Sequence, residues 1–349
     1  MPRRGTIVRG RSEAKESVRM RIFVTGASGF VGGHLIEAAL RRRIELLGSS
    51  FHGRWRAGMP PGAVADVPLL AWDIRRPIDD RTADAIERFA PEVVLHLAGI
   101  SIPGDCGTDE PTAEAIATNV QGTRHALALA ERLARRGSDR RAGPIRFILA
   151  SSCHVYANDF ATGGRVDEGA PLAPASAYGR TKLAAERIVL ERGADAANAN
   201  GMLETLVVRG FQQTGPRQPA RLILPEWIAK VRRGDRPLVV RCRATELDLI
   251  DVRDAVEMLL DLAAHPGGTG IVNLGSGRAT SGDELIGAIE RVAGETIPVV
   301  SERAGPRREP IADVTRLGSL VGPIRRRSLD TTVSDLWNER LDDSNRARE

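Results

Sequence analysis

The chain has 349 residues, a formal net charge of +5 and 42% hydrophobic residues. This length suits one large domain or two closely packed domains around a buried core. No apolar run approaches the ~18 residues that a membrane span needs, and no secretory apolar segment opens the chain. Three widely spaced cysteines indicate neither a disulfide framework nor a zinc site. We therefore expect a cytoplasmic protein with no bound metal and no membrane association.

The positive charge is concentrated at the N-terminus. Residues 1–19 carry six basic side chains against Glu13 and Glu16, a net charge of +4, so residues 20–349 carry only +1. This near-neutral remainder gives no reason to expect nucleic-acid binding. Because the first segment lacks apolar periodicity, we expect a disordered basic tail over 1–19 and a folded region from Met20 onward.

Short apolar runs alternate with helical segments through the first two thirds of the chain. The pattern predicts strands at 22–25, 44–47, 67–71, 92–97, 145–151 and 205–209. It predicts helices at 33–42, 82–89, 113–135 and 178–192. Such alternation is typical of an α/β fold with a doubly wound parallel Rossmann sheet covered on both faces.

The pattern loosens after residue 210, where Gly and Pro become frequent between helices predicted at 225–233, 252–264 and 282–293. We expect a dinucleotide-binding Rossmann domain over 20–210. A smaller C-terminal α/β substrate lobe over 211–335 is expected to be interleaved with it. The charged residues 336–349 are predicted to fray.

A glycine-rich turn follows the first strand, in the segment Thr25-Gly-Ala-Ser-Gly-Phe-Val-Gly32. Gly26 permits a tight turn, Gly29 a close approach to a pyrophosphate, and Gly32 close packing of helix on strand. The helix N-terminus offers free N–H groups and a partial positive charge to phosphates. The sequence therefore predicts a dinucleotide site here, formed by these glycines together with Ser28, Phe30 and Val31.

The end of the second strand bears on the choice of cofactor. NAD-preferring folds usually place a carboxylate there, on the ribose 2′-OH. This chain has Leu47-Gly-Ser-Ser50-Phe-His-Gly-Arg54 instead. Ser50, His52 and Arg54 would tolerate or attract a 2′-phosphate, which favours NADP over NAD, although Arg54 can equally be an ordinary surface arginine.

Tyr178 and Lys182 form the strongest catalytic signal. The chain has only two tyrosines and three lysines, yet these two stand four residues apart, on one face of a predicted helix. A phenol with a pKa near ~10 is a poor base at neutral pH, and a neighbouring ammonium lowers that pKa. Ser151 and Ser152 end the preceding strand, where parallel sheets place their chemistry and a hydroxyl could bind a substrate oxygen.

The chain resembles the extended short-chain dehydrogenase/reductases, specifically the nucleotide-sugar epimerase/dehydratase group. The resemblance covers roughly residues 20–315. Its motifs are the glycine-rich turn, Trp72-Asp73-Ile74, His96-Leu-Ala-Gly99, Thr118-Asn119-Val-Gln-Gly-Thr123, Ser151–Tyr156 and Tyr178–Lys182.

The resemblance implies a role for each matched residue. Tyr178 is the general acid/base, Lys182 lowers its pKa and holds the nicotinamide ribose, and Ser152 is the catalytic hydroxyl. The remaining implied cofactor contacts are Asp73 and Ile74 at the adenine, Ala98 and Gly99 in the cleft, and Asn119 on the supporting helix. The resemblance also implies a nucleotide-diphosphate sugar as substrate and a homodimer.

Within this group of enzymes, the sequence resembles one subgroup best. Thr214-Gly-Pro216-Arg-Gln218 resembles the substrate loop of GDP-mannose 4,6-dehydratases and GDP-4-keto-6-deoxymannose reductases, although Gln212, Gln213 and Arg217 depart from it. Asp248-Leu-Ile-Asp-Val-Arg-Asp254 resembles another motif of this subgroup, but the arginine that usually precedes it is Leu247 here.

The dehydratases carry a glutamate where this chain has His154, preceded by Cys153. Dehydration needs a base and an acid beside the sugar. Without that carboxylate, we expect reduction of a 4-keto sugar with NADPH. The alternatives are NAD-dependent 4-epimerisation, an atypical dehydration in which Cys153 and His154 act as acid and base, and a non-catalytic nucleotide-sensing module. Cys153 and His154 can also simply line the substrate pocket.

Basic side chains in the second lobe are candidates for binding the substrate diphosphate. The candidates are Arg303, Arg307, Arg308 and Arg316. We predict that Arg303 and Arg307 contact the substrate. Arg209, Thr214 and Arg217 are predicted to contact it as well. A solvated surface is an equally good interpretation of each arginine singly.

Overall fold

A computed structural model describes residues 19–59, 61–136, 143–157, 164–199, 201–305 and 307–339. Most of the predicted basic tail, residues 1–18, and residues 340–349 lie outside the described residues. The strands are β1 (Arg21–Thr25), β2 (Glu45–Ser50), β3 (Leu69–Ala71), β4 (Val93–His96), β5 (Ile145–Ser152), β6 (Arg165–Val166), β7 (Leu203–Gly210), β8 (Gln212–Thr214), β9 (Leu238–Val240), β10 (Thr245–Asp251), β11 (Gly270–Leu274), β12 (Ala279–Ser281), β13 (Val299–Ser301), β14 (Arg307–Arg308) and β15 (Ile311–Ala312).

The helices are α1 (Phe30–Arg41), α2 (Pro61–Asp66), α3 (Asp80–Phe89), α4 (Ala113–Ala115), α5 (Gly122–Arg136), α6 (Ala177–Ala199), α7 (Ile223–Arg232), α8 (Val252–Ala264), α9 (Gly282–Ala293), α10 (Thr315–Val321) and α11 (Leu329–Asn338). A π-helical segment, Ile116–Gln121, joins α4 to α5, and 3₁₀ turns occur at Pro103–Cys106 and Cys153–Val155.

Seven parallel strands form the central sheet, in the order β3-β2-β1-β4-β5-β7-β11. The chain winds outward from β1 in one direction through β2 and β3, and in the other through β4 and β5. The order therefore reverses between β1 and β4, where open α/β sheets bind ligands beyond the carboxyl ends of their strands. The predicted doubly wound Rossmann fold is confirmed.

Alternating side chains of the strands pack into two different apolar layers. In β1, Ile22 and Val24 lie in the cluster that contains α1 and α8, whereas Phe23 lies in the cluster that contains α3, α5 and α6. Every residue of β1 is buried, because helices cover both faces of the sheet. This explains why the strands appear in the sequence as nearly continuous apolar runs.

The central sheet and the helices that cover it form the first layer of the molecule. Later segments of the chain form a second layer. Strands β12, β10 and β14 form a small sheet, and β8 also pairs with β10. Helices α7, α9 and α11 share a separate apolar cluster, in which Leu336 is buried. The predicted frayed tail from residue 336 therefore begins too early, since apolar contacts hold α11 in place as far as Asn338.

Three elements that follow residue 210, namely α8, β11 and α10, return to the first layer. Strand β11 pairs with β7 at the edge of the central sheet, and α8 packs beside α1. Arg42, directly after α1, donates hydrogen bonds to Glu257 at 2.7 Å and Asp261 at 2.6 Å, both on α8. The domain boundary at residue 210 stays a prediction.

Several predicted elements have different bounds in the structure, and two of these differences have a clear physical cause or affect the site. Strand β2 extends to Ser50 rather than ending at residue 47, because Ser49 and Ser50 are buried where β2 pairs with β3. The helix predicted over 113–135 is interrupted by the π-helical segment. Within the described residues, no helix is long and apolar enough to cross a membrane. In the same residues, no group of three or more His, Cys, Asp or Glu side chains could hold a metal ion.

The turn between β1 and α1 depends on glycine at two positions. Gly26 has φ +70°, and a Cβ there would lie 2.7 Å from the Ala98 nitrogen. A Cβ on Gly32 would collide with the Gly26 carbonyl and lie 2.7 Å from that of Ala27. A side chain at either position would push α1 away from the sheet.

We expect Gly32→Ala to lower the free energy of unfolding by about 1–3 kcal/mol, because the added methyl group meets backbone atoms that cannot rotate away. Urea unfolding measures this. Gly318→Ala in α10 is the matched control, since its nearest neighbour would be 3.9 Å away. Equal stability of Gly32→Ala and the wild type would show that the turn can relax.

Candidate active site

The glycine-rich turn opens on a cavity of about 720 Å³ at the carboxyl edge of the sheet, lined by Phe30 and Val31 among others. Helix α1 begins after Gly29, and no side chain caps its first turn. Its N–H groups are therefore available to an anion. Ser28 is half-buried on the same turn. These features fit the pyrophosphate of a dinucleotide.

The outer part of the predicted cofactor cleft lies beyond β2 and β3. The Ser50 hydroxyl accepts a hydrogen bond from the Arg54 nitrogen at 3.2 Å, and the Arg54 side chain is exposed. Asp73 accepts hydrogen bonds from the Arg75 guanidinium at 2.8 and 3.0 Å, which lower the pKa of its carboxyl group. Ile74 is buried in the core, and its predicted place beside the adenine stays a prediction.

Sequence reasoning missed one feature of this region. Phe51 is 51% exposed, and the Arg75 guanidinium lies 4.9 Å from the centroid of its ring. An aromatic residue directly after a strand that ends at the cofactor cleft is the signal that could have identified it. The exposed ring and the cation beside it form a flat surface on which a base could stack.

A chain of buried polar groups links the turn to the centre of the site. Thr25 Oγ1 and His96 Nδ1 are 2.7 Å apart, and the second ring nitrogen of His96 lies 3.2 Å from Thr123 Oγ1. Thr123 donates in turn to the Asn119 carbonyl at 2.7 Å. Burial lowers the pKa of His96 to about 3, so the ring is neutral at physiological pH.

Asn119 lies in the π-helical segment and fixes the loop after β4. Its side chain accepts a hydrogen bond from the Ile100 nitrogen at 2.8 Å and donates to the Ile100 carbonyl at 3.1 Å. It also donates to Thr181 Oγ1, on α6, at 3.0 Å. A Cβ on Gly99 would lie 3.0 Å from Asn119 Oδ1 and 3.5 Å from Lys182 Nζ. Asn119 thus joins two elements of the site, and its predicted contact with the cofactor stays a prediction.

Ser152, Tyr178 and Lys182 all line the cavity. Ser152 accepts a hydrogen bond from the His154 nitrogen at 3.2 Å and so begins the 3₁₀ turn after β5. Helix α6 packs directly on this turn, because Gly179 has no side chain to collide with the His154 carbonyl. The close contact brings Tyr178 to Ser152.

The ionisation of this set is governed by burial. Burial raises the pKa of Tyr178, and a hydrogen bond with the Ser152 side chain opposes that rise. Burial lowers the pKa of Lys182 to about 8. The Lys182 ammonium donates to the Ala150 carbonyl at 2.9 Å and lies 5.9 Å from the Tyr178 ring centroid. In this arrangement Tyr178 holds its proton, and its predicted activation by Lys182 stays a prediction.

Cys153 and His154 line the same cavity. The Cys153 side chain is buried, which raises the pKa of its thiol well above the usual range. Burial also lowers the pKa of His154, whose ring contacts that of Tyr178 edge to face at 5.5 Å. A protonated thiol and a neutral imidazole line the pocket without forming a thiolate–imidazolium pair.

Arg209, which was predicted to contact the substrate, does not line the cavity. Its guanidinium is buried and donates to Glu186 of α6 at 2.8 Å and to the Glu168 carbonyl at 3.0 Å. It also stacks on the Tyr156 ring. Glu186 accepts a further hydrogen bond from Ser151. The arginine therefore fixes α6 against β5 and β7, beneath the catalytic set.

Three other predicted substrate residues also lie away from the cavity lining. Arg217 donates to Glu37 of α1 at 2.7 Å. Thr214 is buried and donates to Gln218. Arg303 is exposed. Arg307 does line the cavity, with its guanidinium 2.7 Å from Glu309.

The cavity also contains polar residues to which the sequence analysis gave no role. Gln212 and Gln213 each have a buried side-chain oxygen that has no hydrogen-bond partner within the described part of the chain. Glu309 and Arg241 face the cavity from the second lobe. Gln212 and Gln213 could have been identified from the sequence, because they depart from the pattern of the resembled subgroup. Nothing in the sequence indicated a role for Glu309 or Arg241.

This combination of a parallel sheet, a glycine-rich turn and a Ser–Tyr–Lys set defines an extended short-chain dehydrogenase/reductase. A family model of the NAD-dependent epimerase/dehydratase family matches residues 22–275, and the chain belongs to that family. It is therefore an enzyme, and the alternative of a non-catalytic sensing module is wrong.

Curated relatives span nearly the whole chain. UDP-glucose 4-epimerase of Neisseria meningitidis serogroup C is 28% identical, over 91% of this chain and 96% of its own. GDP-6-deoxy-D-mannose reductase of Pseudomonas aeruginosa is 29% identical, over 82% and 85%. The structure of UDP-glucuronic acid 4-epimerase from Bacillus cereus with UDP-glucuronic acid and NAD shares the fold, with a TM-score of 0.73, 22% identity and coverage of 91% and 98%.

We expect Arg209→Met to lower the free energy of unfolding by about 3–5 kcal/mol, because it leaves the Glu186 carboxylate buried without its cation. The double variant Arg209→Met, Glu186→Met is expected to recover most of that loss, since no charge is left unpaired. Urea unfolding of the two variants tests this, and a loss in the single variant below about 1 kcal/mol would contradict the buried ion pair.

We expect the neutral His96 to make stability depend on acid pH. The folded-state pKa of about 3 lies below the unfolded value of 6.5, so this contribution is complete above pH 6.5 and is lost as the pH falls towards 3. His96→Gln is expected to reduce the slope of unfolding free energy against pH in that window by up to about 1.4 kcal/mol per pH unit. An unchanged slope in urea titrations would show that His96 titrates normally.

Proposed function

We propose that this enzyme transfers a hydride at C4 of the hexose in a nucleotide-diphosphate sugar, with Tyr178 as general acid/base. The observation that carries the proposal is the meeting of Ser152, Tyr178 and Lys182 in the cavity onto which the glycine-rich turn also opens. A cofactor on the turn and a sugar in the cavity would then share the edge of the sheet where Tyr178 stands.

The residues of the chain have distinct tasks in this proposal. Ser152 binds the reacting sugar oxygen and the phenol. Tyr178 moves the proton of that oxygen, and Lys182 holds the nicotinamide ribose. When bound, the nicotinamide accepts or supplies the hydride, and its oxidised form adds a positive charge that favours the phenolate. In the protonated state favoured by burial, Tyr178 can donate its proton to a ketone.

Epimerisation at C4 is the leading form of this reaction. It needs a group that takes the proton of the C4 hydroxyl and a cofactor that would take the hydride of C4. Inversion would follow when the hydride returned to the opposite face of C4 and the proton returned to the C4 oxygen. The Ser152, Tyr178 and Lys182 set supplies the proton side. Dehydration would also need a base at position 154 or 153, where the structure has a buried imidazole and a thiol whose raised pKa disfavours thiolate. Several curated relatives are UDP-glucose 4-epimerases.

The second candidate is reduction of a GDP-4-keto sugar with NADPH. It is favoured by the end of β2, where Ser50 and the exposed Arg54 stand in place of a carboxylate. The Pseudomonas relative that acts on a GDP-6-deoxy sugar, and the resemblance of residues 214–218 to the reductase loop, support it. The predicted homodimer and the preference for NADP stay predictions.

We expect Tyr178→Phe to lower kcat by about 10²–10⁴-fold, because the variant has no group that can move the proton. The assays are UDP-glucose with NAD, followed by NMR of the sugar, and GDP-4-keto-6-deoxymannose with NADPH, followed by absorbance of the reduced nicotinamide. Tyr156→Phe is the matched control, since the hydroxyl of this second tyrosine is bonded to Asn273 at 2.5 Å.

The outcomes separate the candidates. Interconversion of two sugars without net use of cofactor identifies an epimerase, and substrate-dependent loss of NADPH identifies a reductase. Full activity of Tyr178→Phe, or neither reaction in protein that binds cofactor, would overturn the proposal.

A further inference from the structure

The wall of the cavity contains a leucine at a position where the resembled subgroup has an arginine. Leu247 is buried on β10 and lines the cavity. A nucleotide-diphosphate sugar carries negative charge on both phosphates, and an apolar wall does not compensate for it. If the proposed substrate class is correct, a different cation must meet the diphosphate.

Most cations that line the cavity are already paired. Arg221 donates to Asp105 at 2.8 Å, and Lys230 lies 2.7 Å from Glu226. Arg307 is paired with Glu309, and Lys182 belongs to the catalytic set. Binding an anion with one of the paired cations would mean separating an ion pair that the protein has already formed.

Arg241 differs from these cations. It follows β9, lines the cavity and is exposed. Among the described residues, no carboxylate lies within salt-bridge distance of its guanidinium. Its backbone is nevertheless fixed, because the Arg241 carbonyl accepts a hydrogen bond from the Arg303 nitrogen at 3.0 Å. The next residue, Cys242, is buried with its sulfur 3.2 Å from the Gly305 carbonyl.

We propose that Arg241 binds the diphosphate of the nucleotide sugar and takes over the task of the arginine that this chain lacks at position 247. This inference rests on the proposed function. A guanidinium can bind phosphate oxygens with two parallel hydrogen bonds. The fixed backbone holds the start of the side chain at the cavity wall, and no ion pair within the described chain has to break when phosphate arrives.

The test compares Arg241→Gln with Arg243→Gln. Arg243 is exposed on the same segment but is ion-paired with Asp283 and does not line the cavity, so it serves as the matched control. Isothermal titration with free UDP and with GDP measures diphosphate binding without the sugar. We expect Arg241→Gln to lower the affinity for whichever of UDP and GDP the wild type binds by about 10- to 100-fold. It should raise KM similarly with little change in kcat, and Arg243→Gln should change neither.

Two further measurements identify what Arg241 contacts. Adding Leu247→Arg to Arg241→Gln is expected to recover diphosphate binding, since it places a cation at the position used by the resembled subgroup. Titration with the nucleoside alone is expected to be insensitive to Arg241→Gln. Equal weakening of the nucleoside would mean that Arg241 binds the base, and weakening of the nucleotide sugar without weakening of the free diphosphate would mean that it binds the sugar. Either result overturns the inference.

The inference and the proposed reaction can fail separately. Arg241-dependent binding of UDP or GDP in a protein that neither epimerises nor reduces would retain the diphosphate site and reject the reaction. If the enzyme carries out the C4 reaction and Arg241→Gln leaves KM unchanged, the proposed reaction is retained and the diphosphate site at Arg241 is rejected.

Discussion

The catalytic geometry depends on one close contact, where α6 lies directly on the 3₁₀ turn that follows β5. Gly179 makes that contact possible, because any side chain there would strike the His154 carbonyl. With the helix at this distance, Tyr178 reaches Ser152, and Lys182 reaches the Ala150 carbonyl at the end of the strand. A small displacement of α6 would separate all three.

Buried polar groups hold this contact from below. Glu186, one turn after Lys182, is bonded to both Arg209 and Ser151, so α6 is fixed to two neighbouring strands of the sheet. From the other side, Asn119 connects the loop after β4 to Thr181 of the same helix. These groups are buried and largely satisfied, which rigidifies the site without adding to its chemistry.

The fold could be predicted from the sequence because it follows local patterns. The bounds of α8 and α9 agree with prediction to the residue, since each helix begins at a clear capping position, Asp251 and Ser281. The glycine-rich turn and the Tyr–Lys pair are equally local. The ion pairs of Arg209 and Arg217 could not be predicted because they depend on Glu186 and Glu37, and Glu37 is 180 residues from Arg217 in the chain. Position along the sequence gives no information about such a partner.

The return of α8 and β11 to the first layer affects how the enzyme can move. If a single linker joined the two layers, they could rotate about it as about a hinge. Here the chain passes between the layers near residues 211, 251 and 275, and Arg42 ties α1 to α8 by two carboxylates. Several connections side by side resist bending more than a single linker does, so they restrict rotation of one lobe against the other. With that rotation restricted, entry of substrate and release of product depend more on the loops at the rim of the cavity, two of which are joined by the Arg221–Asp105 pair.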